Sequence, residues 1–421
     1  MIDSRFAVLE NEREYLRELA VKQMEYANLP VMAEREDLWR QHNALNGARP
    51  IVAFDINSFI GDLLPPLRCE SETARAIERS LLAQIVNHER IGDDKVVPGF
   101  FTVTRKIDLL EFGLNYNVKR VPDRDGRSLG YHIEETINDL EEDFAKLKPS
   151  IMNLDAAYTS EMTDIVQYAI GDIIPVVVKN QSLNWSLGLS AKIVNLMGME
   201  NMMLCFYDCP DKLRELYEFI TNETIRYVKW QESEGLLTLN NHNDYAGAGS
   251  WGFTDELPKS ADGIVRTNDL WGNINSQETL SISPEMYHEF CFPYYSRIAE
   301  LFGLVYYGCC EPVHPIWENS VSKYPNLRKV SVSAWCNEEY MGEVLRNCSV
   351  IYSRKPSPNY IGVGNAFDED GFSAHIEKTL KAARGCKLEL LFRDIQTLNG
   401  DICKPGRAMK IVGNLIDKLW Q

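Results

Sequence analysis

The sequence predicts an α/β protein, a (β/α)₈ TIM barrel preceded by an N-terminal helical extension. Three observations carry that prediction. From about residue 150 onward, short apolar runs alternate with amphipathic segments, the rhythm of parallel strands joined by right-handed helical crossovers. The residues that follow successive apolar runs are polar, as expected where an active site gathers at the C-terminal rim of a barrel. No glycine-rich phosphate loop follows an early strand, which places an open doubly wound sheet second.

Taken in order, residues 5–46 interleave charges with Leu16, Leu19 and Met24 and break at Asn28-Leu29-Pro30. That pattern predicts a helical extension over 1–48 ahead of a barrel over 49–421. Residues 50–150 are mixed, with an apolar run at 50–56, a helical stretch at 72–89, a β-rich segment at 96–106 and acidic sequence around 134–142. Strands are predicted at 174–178, 236–239, 304–307, 327–332, 349–352 and 388–392. Helices are predicted at 211–231, 284–302, 312–323, 338–346, 371–383 and 406–419.

Composition narrows the function classes. The 421 residues carry 44 Lys and Arg against 61 Asp and Glu, a formal charge of −17. Such a surface repels nucleic acid and anionic membranes, so neither is an expected partner. No apolar run of about 18 residues predicts a membrane span. Asp3, Arg5 and Glu10 interrupt any targeting stretch, and ten cysteines are too sparse for a disulfide framework. The expectation is a cytoplasmic protein whose cysteines are thiols, ligands or nucleophiles.

The chemistry is expected just past the strands. Asn240, Asn241, His242, Asn243 and Asp244 follow the run at 236–239, and Gly308, Cys309, Cys310 and Glu311 follow 304–307. Ser333, Trp335 and Cys336 follow 327–332, and the last two runs end in Arg354-Lys355 and Arg393-Asp394. Cys309, Cys310 and Cys336, with His242 and Glu311, are the ligand types zinc prefers. Adjacent cysteines cannot point the same way on a strand, so one of Cys309 and Cys310 faces the pocket. Asp394 is a candidate acid/base, Arg354 and Lys355 suit a substrate carboxylate or phenolate, and His314 caps a helix or lines the pocket. Tyr245, Trp251, Phe253, Trp271, Tyr306, Tyr307 and Trp335 are aromatic residues that would line it. The remaining seven cysteines read as structural.

Five stretches carry a resemblance: Met197–Met203 followed by Asp208-Cys209-Pro210-Asp211, Ser283–Tyr294, Tyr307–Glu311, Ala74–Arg79 and Ile91–Val97. Together they resemble the uroporphyrinogen decarboxylase superfamily, on the side of its corrinoid-linked methyltransferases and O-demethylases. The resemblance is clearest over 190–420. It implies a (β/α)₈ barrel, a zinc ion at the barrel mouth, and transfer of a methyl group between a small methylated or methoxylated substrate and the cobalamin of a separate corrinoid protein. A homodimer is implied as well. This chain has no cobalamin-binding Asp-x-His-x-x-Gly motif of its own.

The sequence departs from that branch where its His-x-Cys-Gly motif would stand. Tyr307-Gly308-Cys309-Cys310 occupies the place without a histidine. Cys386 has the spacing of the family's third cysteine but precedes a strand, so Cys336 is the expected substitute. The expected set is therefore Cys309, Cys310 and Cys336 on zinc, His242, Glu311 and Asp394 as catalytic groups, and Arg354, Tyr307 and Trp335 against substrate. The arginine motif that holds tetrapyrrole carboxylates is missing from 50–62, which disfavours haem-pathway decarboxylation. A metal-free carboxy-lyase is the alternative, and a binding protein on the same barrel is the third reading.

Overall fold

This computed structural model describes residues 8–122, 128–180 and 183–420. Residues 5–7 of the predicted extension helix lie outside the described residues. The extension forms two helices, α1 (Glu10–Ala27) and α2 (Pro30–Asn43), the second starting on a proline whose missing N–H is not needed there. Leu16, Leu19 and Ala20 of α1 pack on Ala74, Ile77 and Leu81 of α3 (Glu72–Arg90). The buried Glu12 carboxylate accepts from Glu70 N at 2.7 Å and Ser71 N at 3.0 Å, fastening α1 to the start of α3.

The protein is mixed α/β, and two parallel sheets position the site. Their strands are β1 (Ile51–Phe54), β2 (Phe101–Thr104), β3 (Val176–Lys179), β4 (Trp271–Ile274), β5 (Leu304–Tyr307), β6 (Leu327–Val332), β7 (Ile351–Arg354) and β8 (Leu388–Phe392). Backbone hydrogen bonds join six of them in the order β4-β5-β6-β7-β8-β1, and β2 with β3 in a separate pair. On the other edge of β1, carboxylates take a strand's place. Val52 N donates to Asp94 Oδ2 at 2.9 Å and Phe54 N to Asp93 Oδ2 at 2.8 Å. Between β3 and β4 side-chain amides do the same: Thr238 N donates to Asn180 Oδ1 at 3.0 Å, while Asn240 accepts from Trp271 N at 2.9 Å and donates to its carbonyl at 3.0 Å. Burying strand-edge N–H groups without such partners would cost about 1–3 kcal/mol each.

The crossover helices include α4 (Ala156–Ile170), α5 (Leu189–Asp208), α6 (Pro210–Ser233), α7 (Pro284–Phe290), α8 (Phe292–Ala299), α9 (Glu338–Leu345), α10 (Glu369–Ala382) and α11 (Lys404–Leu419). Side chains alternate along each strand. Val305, Tyr307, Val330, Val332, Tyr352, Leu388, Leu390 and Phe392 face the helices and form the main apolar core. The opposite row is polar in its middle. Lys329 donates to Glu389 at 2.9 Å and to Ser250 at 2.6 Å, and Tyr306 pairs with Ser353 at 2.7 Å. α2 covers one end of this row, with Trp39 Nε1 donating to the Asp94 carbonyl at 2.9 Å and Lys329 Nζ 5.3 Å from the Trp39 ring. No helix among the described residues is long and apolar enough to cross a membrane.

β5, β6 and β8 fall where the sequence predicts them. β3 and β7 lie two residues later at their starts than the predicted 174–178 and 349–352. The predicted strand 236–239 joins neither sheet, because side chains rather than a backbone ladder hold it, and β4 is a strand the apolar pattern did not predict. The predicted helix 312–323 is two short turns, His314–Ile316 and Val321–Lys323, since Pro312 and Pro315 remove N–H groups a helix would use.

Candidate functional site

A cavity of about 450 Å³ opens where β1, β4, β5 and β8 end, lined by Asp55, Asn57, Asn273, Asn275, Gln277, Cys309, Arg393 and Asp394, with Tyr245 from the segment before β4. The inward row of each strand delivers its residues. Asp55 is two beyond Ala53, Asn275 two beyond Asn273, and Arg393 two beyond Leu391, so each continues the period of its strand into the cavity. Lys355, two beyond Ser353, lies beneath it, buried, with its ammonium bonded to the Tyr306 hydroxyl and 3.2 Å from Ser353 Oγ.

The turn after β5 aims Cys309. Gly308 has φ +98°, and a Cβ there would stand 2.9 Å from that of Ser331. The Glu311 carboxylate then accepts from Cys309 N at 2.8 Å and Ser276 N at 3.2 Å, while Ser331 Oγ donates to the Cys309 carbonyl at 2.6 Å. Cys309 Sγ lies 3.5 Å from Cys310 Sγ, which is 3.4 Å from Asp394 Oδ2. The Cys309 thiol is held below its ordinary value by the hydrogen bond from Cys310, helped by the Arg393 and Lys355 cations against the effect of burial. Cys310 is pushed up by the same hydrogen bond, so of the two thiols Cys309 is the first to ionise. Burial lowers Lys355 to about 7, with the neighbouring Arg393 adding to it, and burial raises the Tyr245 phenol.

Of the residues expected from the sequence, the structure brings together Cys309, Cys310, Arg393 and Asp394, with Tyr245 in the cavity wall and Lys355 beneath it. The others serve elsewhere. Cys336 is buried under the turn, its Sγ accepting from Val313 N at 3.4 Å. Glu311 spends both oxygens on backbone N–H groups, which makes it a clamp rather than a catalytic group facing the cavity. His242 Nδ1 accepts from Arg40 at 3.0 Å, at the contact with the extension. Tyr307 faces the helices, bonded to Ser276 at 2.9 Å and Tyr287 at 2.8 Å. Arg354 is fully buried on the same side, 2.6 Å from Glu338. Trp335 is 72% exposed and outside the cavity lining. His314 Nδ1 accepts from Asn337 N at 3.3 Å.

The expected zinc ligands therefore do not converge. Two thiols and Asp394 share one neighbourhood, but Cys336 and His242 are engaged away from it. Among the described residues no three of His, Cys, Asp and Glu are disposed to hold a metal ion. The sequence reading passed over Asp55, Asn57, Asn273, Asn275 and Gln277, although the two-residue period carries Asp55 and Asn275 into the cavity. No protein-family model matches this chain, and no curated protein matches it.

Proposed function

We propose that this chain is an enzyme that moves a methyl group from a small methylated or methoxylated molecule, bound in the cavity beside Cys309, to the reduced cobalamin of a separate corrinoid protein. The same proposal closes the eight strands into a (β/α)₈ barrel, with Asp93 and Asp94 spanning the gap between β1 and β2 and the 236–240 segment spanning that between β3 and β4. The observation that carries the reaction is the charge of the cavity wall. Asp55 and Asp394 are acidic, and Arg393, the one lining cation among the described residues, lies with Nε 3.2 Å from Asp394. A carboxy-lyase needs spare cations to hold the carboxylates of its substrate. A methyl donor needs none, which favours methyl transfer over the metal-free lyase.

The chemistry is a displacement at carbon. The acceptor's electron pair forms the new bond as the bond between methyl carbon and donor heteroatom breaks, and that pair stays on the heteroatom. This chain's residues bind and orient the donor through the Asn57, Asn273, Asn275 and Gln277 carboxamides. Tyr245 and Cys310 keep their protons at neutral pH and are the groups able to protonate a departing oxygen.

The test is an anaerobic assay with chemically reduced cobalamin and a panel of O-methyl and N-methyl donors. Methylated cobalamin should appear, read by its absorbance, and disappear with Cys309→Ala. If every donor leaves cobalamin unmethylated, the reading falls. Carbon dioxide release from small carboxylic acids under the same conditions would put the lyase in its place.

A further inference from the structure

Asp55 is the lining carboxylate that makes no direct ion pair among the described residues, although it acts electrostatically on the buried Lys95. Among the described residues no Lys, Arg or His lies within salt-bridge distance of it, and the one hydrogen bond to its carboxylate is from Asn57 N at 3.2 Å. The nearby ammonium of Lys95 is bonded instead to Asn87 Oδ1 at 3.3 Å. Beside Asp55 stands the ring of Tyr245, whose hydroxyl accepts from Gly249 N at 2.7 Å, which fixes the aromatic wall in place. The cavity therefore carries a carboxylate and an aromatic side chain in one wall, the two kinds of group that recognise an organic cation. Asn273, which donates to the Tyr306 carbonyl at 3.2 Å, lines the same cavity.

Counting formal charges over the lining, Asp55 and Asp394 give two negatives against the one positive of Arg393, before any charge on Cys309. The whole chain, at −17, adds a field that draws cations in. We propose that the methyl donor is a small organic cation, a methylated ammonium compound whose charged nitrogen seats between Asp55 and the Tyr245 ring. This inference rests on the reading of the cavity as the methyl-donor site. It also simplifies the chemistry. When the acceptor's pair takes the methyl carbon, the C–N pair stays on nitrogen and the amine departs neutral, so no proton has to be supplied to it.

Calorimetric titration of the whole protein with choline and with its neutral isostere 3,3-dimethylbutan-1-ol separates charge from shape. Choline should bind at least about tenfold more tightly. Asp55→Asn should abolish that preference, whereas Asp211→Asn, on the exposed surface, should keep it. Should Asp55→Asn fail to fold, judged by circular dichroism, Tyr245→Leu serves, and it should weaken choline more than the alcohol. Equal binding of the two probes, binding of neither, or a preference that survives both cavity substitutions overturns the inference. Choline binding without methylation of cobalamin would overturn the methyl-transfer reading and leave the cation site standing. Methylation from a neutral ether with no preference for choline would do the reverse.

Discussion

The reactive geometry at the residue scale depends on one glycine. Gly308 turns the chain at a φ that side chains rarely adopt, and its hydrogen fits where a Cβ would press on Ser331. Gly308→Ala should cost about 2 kcal/mol in urea unfolding, from backbone strain together with the clash. The same substitution should blunt Cys309, because the turn it distorts is what aims that thiol. Iodoacetamide provides the second readout. At pH 7 Cys309 should be alkylated ahead of the exposed Cys348 and Cys403, and Arg393→Met should slow it by removing a cation that favours the thiolate. Peptide mass mapping after short exposure decides this. An unchanged rate in Arg393→Met would mean that Arg393 does not set the reactivity, leaving it to Cys310 and Lys355. That Cys309 faces a cavity was half legible: the sequence placed the pair at a strand end, but only the positive φ of Gly308 selects between the two thiols.

Element boundaries explain most of the misplaced site residues. A strand at 349–352 would leave Arg354 and Lys355 as a cationic rim, whereas β7 runs to Arg354 and directs that side chain toward the helices. There the Arg354 guanidinium meets Glu338 and the Val332 and Ser333 carbonyls, tying β7 to the start of α9. Arg354→Met should destabilise the fold by about 3 kcal/mol, since it strands a buried carboxylate. It should leave cation binding at the cavity unchanged in whatever protein remains folded, which calorimetry at low temperature can measure. Loss of binding in a folded variant would return Arg354 to the site. The strand period was available in the sequence: Tyr306, Ser353 and Leu391 share one face, so their in-phase successors point inward while Tyr307 and Arg354 do not. β4 was less legible, because Trp271-Gly272-Asn273-Ile274 is not an apolar run. Its Gly272 makes room for the Phe302 ring, and its Asn273 belongs to the polar inner row.

At the scale of the whole molecule, the sheet interior holds charge that apolar patterning does not foresee. Lys329, Glu389, Ser250, Tyr306, Ser353 and Lys355 form a buried polar column from the α2 end toward the cavity, and burial of its ammonium groups carries a cost in stability. For Lys355 the sign can be worked out. Its folded value near 7 lies below the ordinary 10.5, so between these pH values the unfolded chain holds a proton that the folded one lacks. Stability contributed through this group therefore rises with pH from about 7 to about 10.5, and the penalty is fully present below 7. The difference corresponds to a few kcal/mol. In Lys355→Met the Tyr306 hydroxyl keeps Ser353 at 2.7 Å, so little hydrogen bonding is lost with the amine. Urea unfolding of both proteins at pH 6, 8 and 10 should show the variant more stable at pH 6, with the gap closing toward pH 10. Groups common to both proteins cancel in that difference. A variant less stable than the parent at pH 6 by an amount that persists to pH 10 would mean that the ammonium is held as a paired cation. The column would then act as a charge-bearing brace of the fold rather than a strained reserve of protons beneath the cavity.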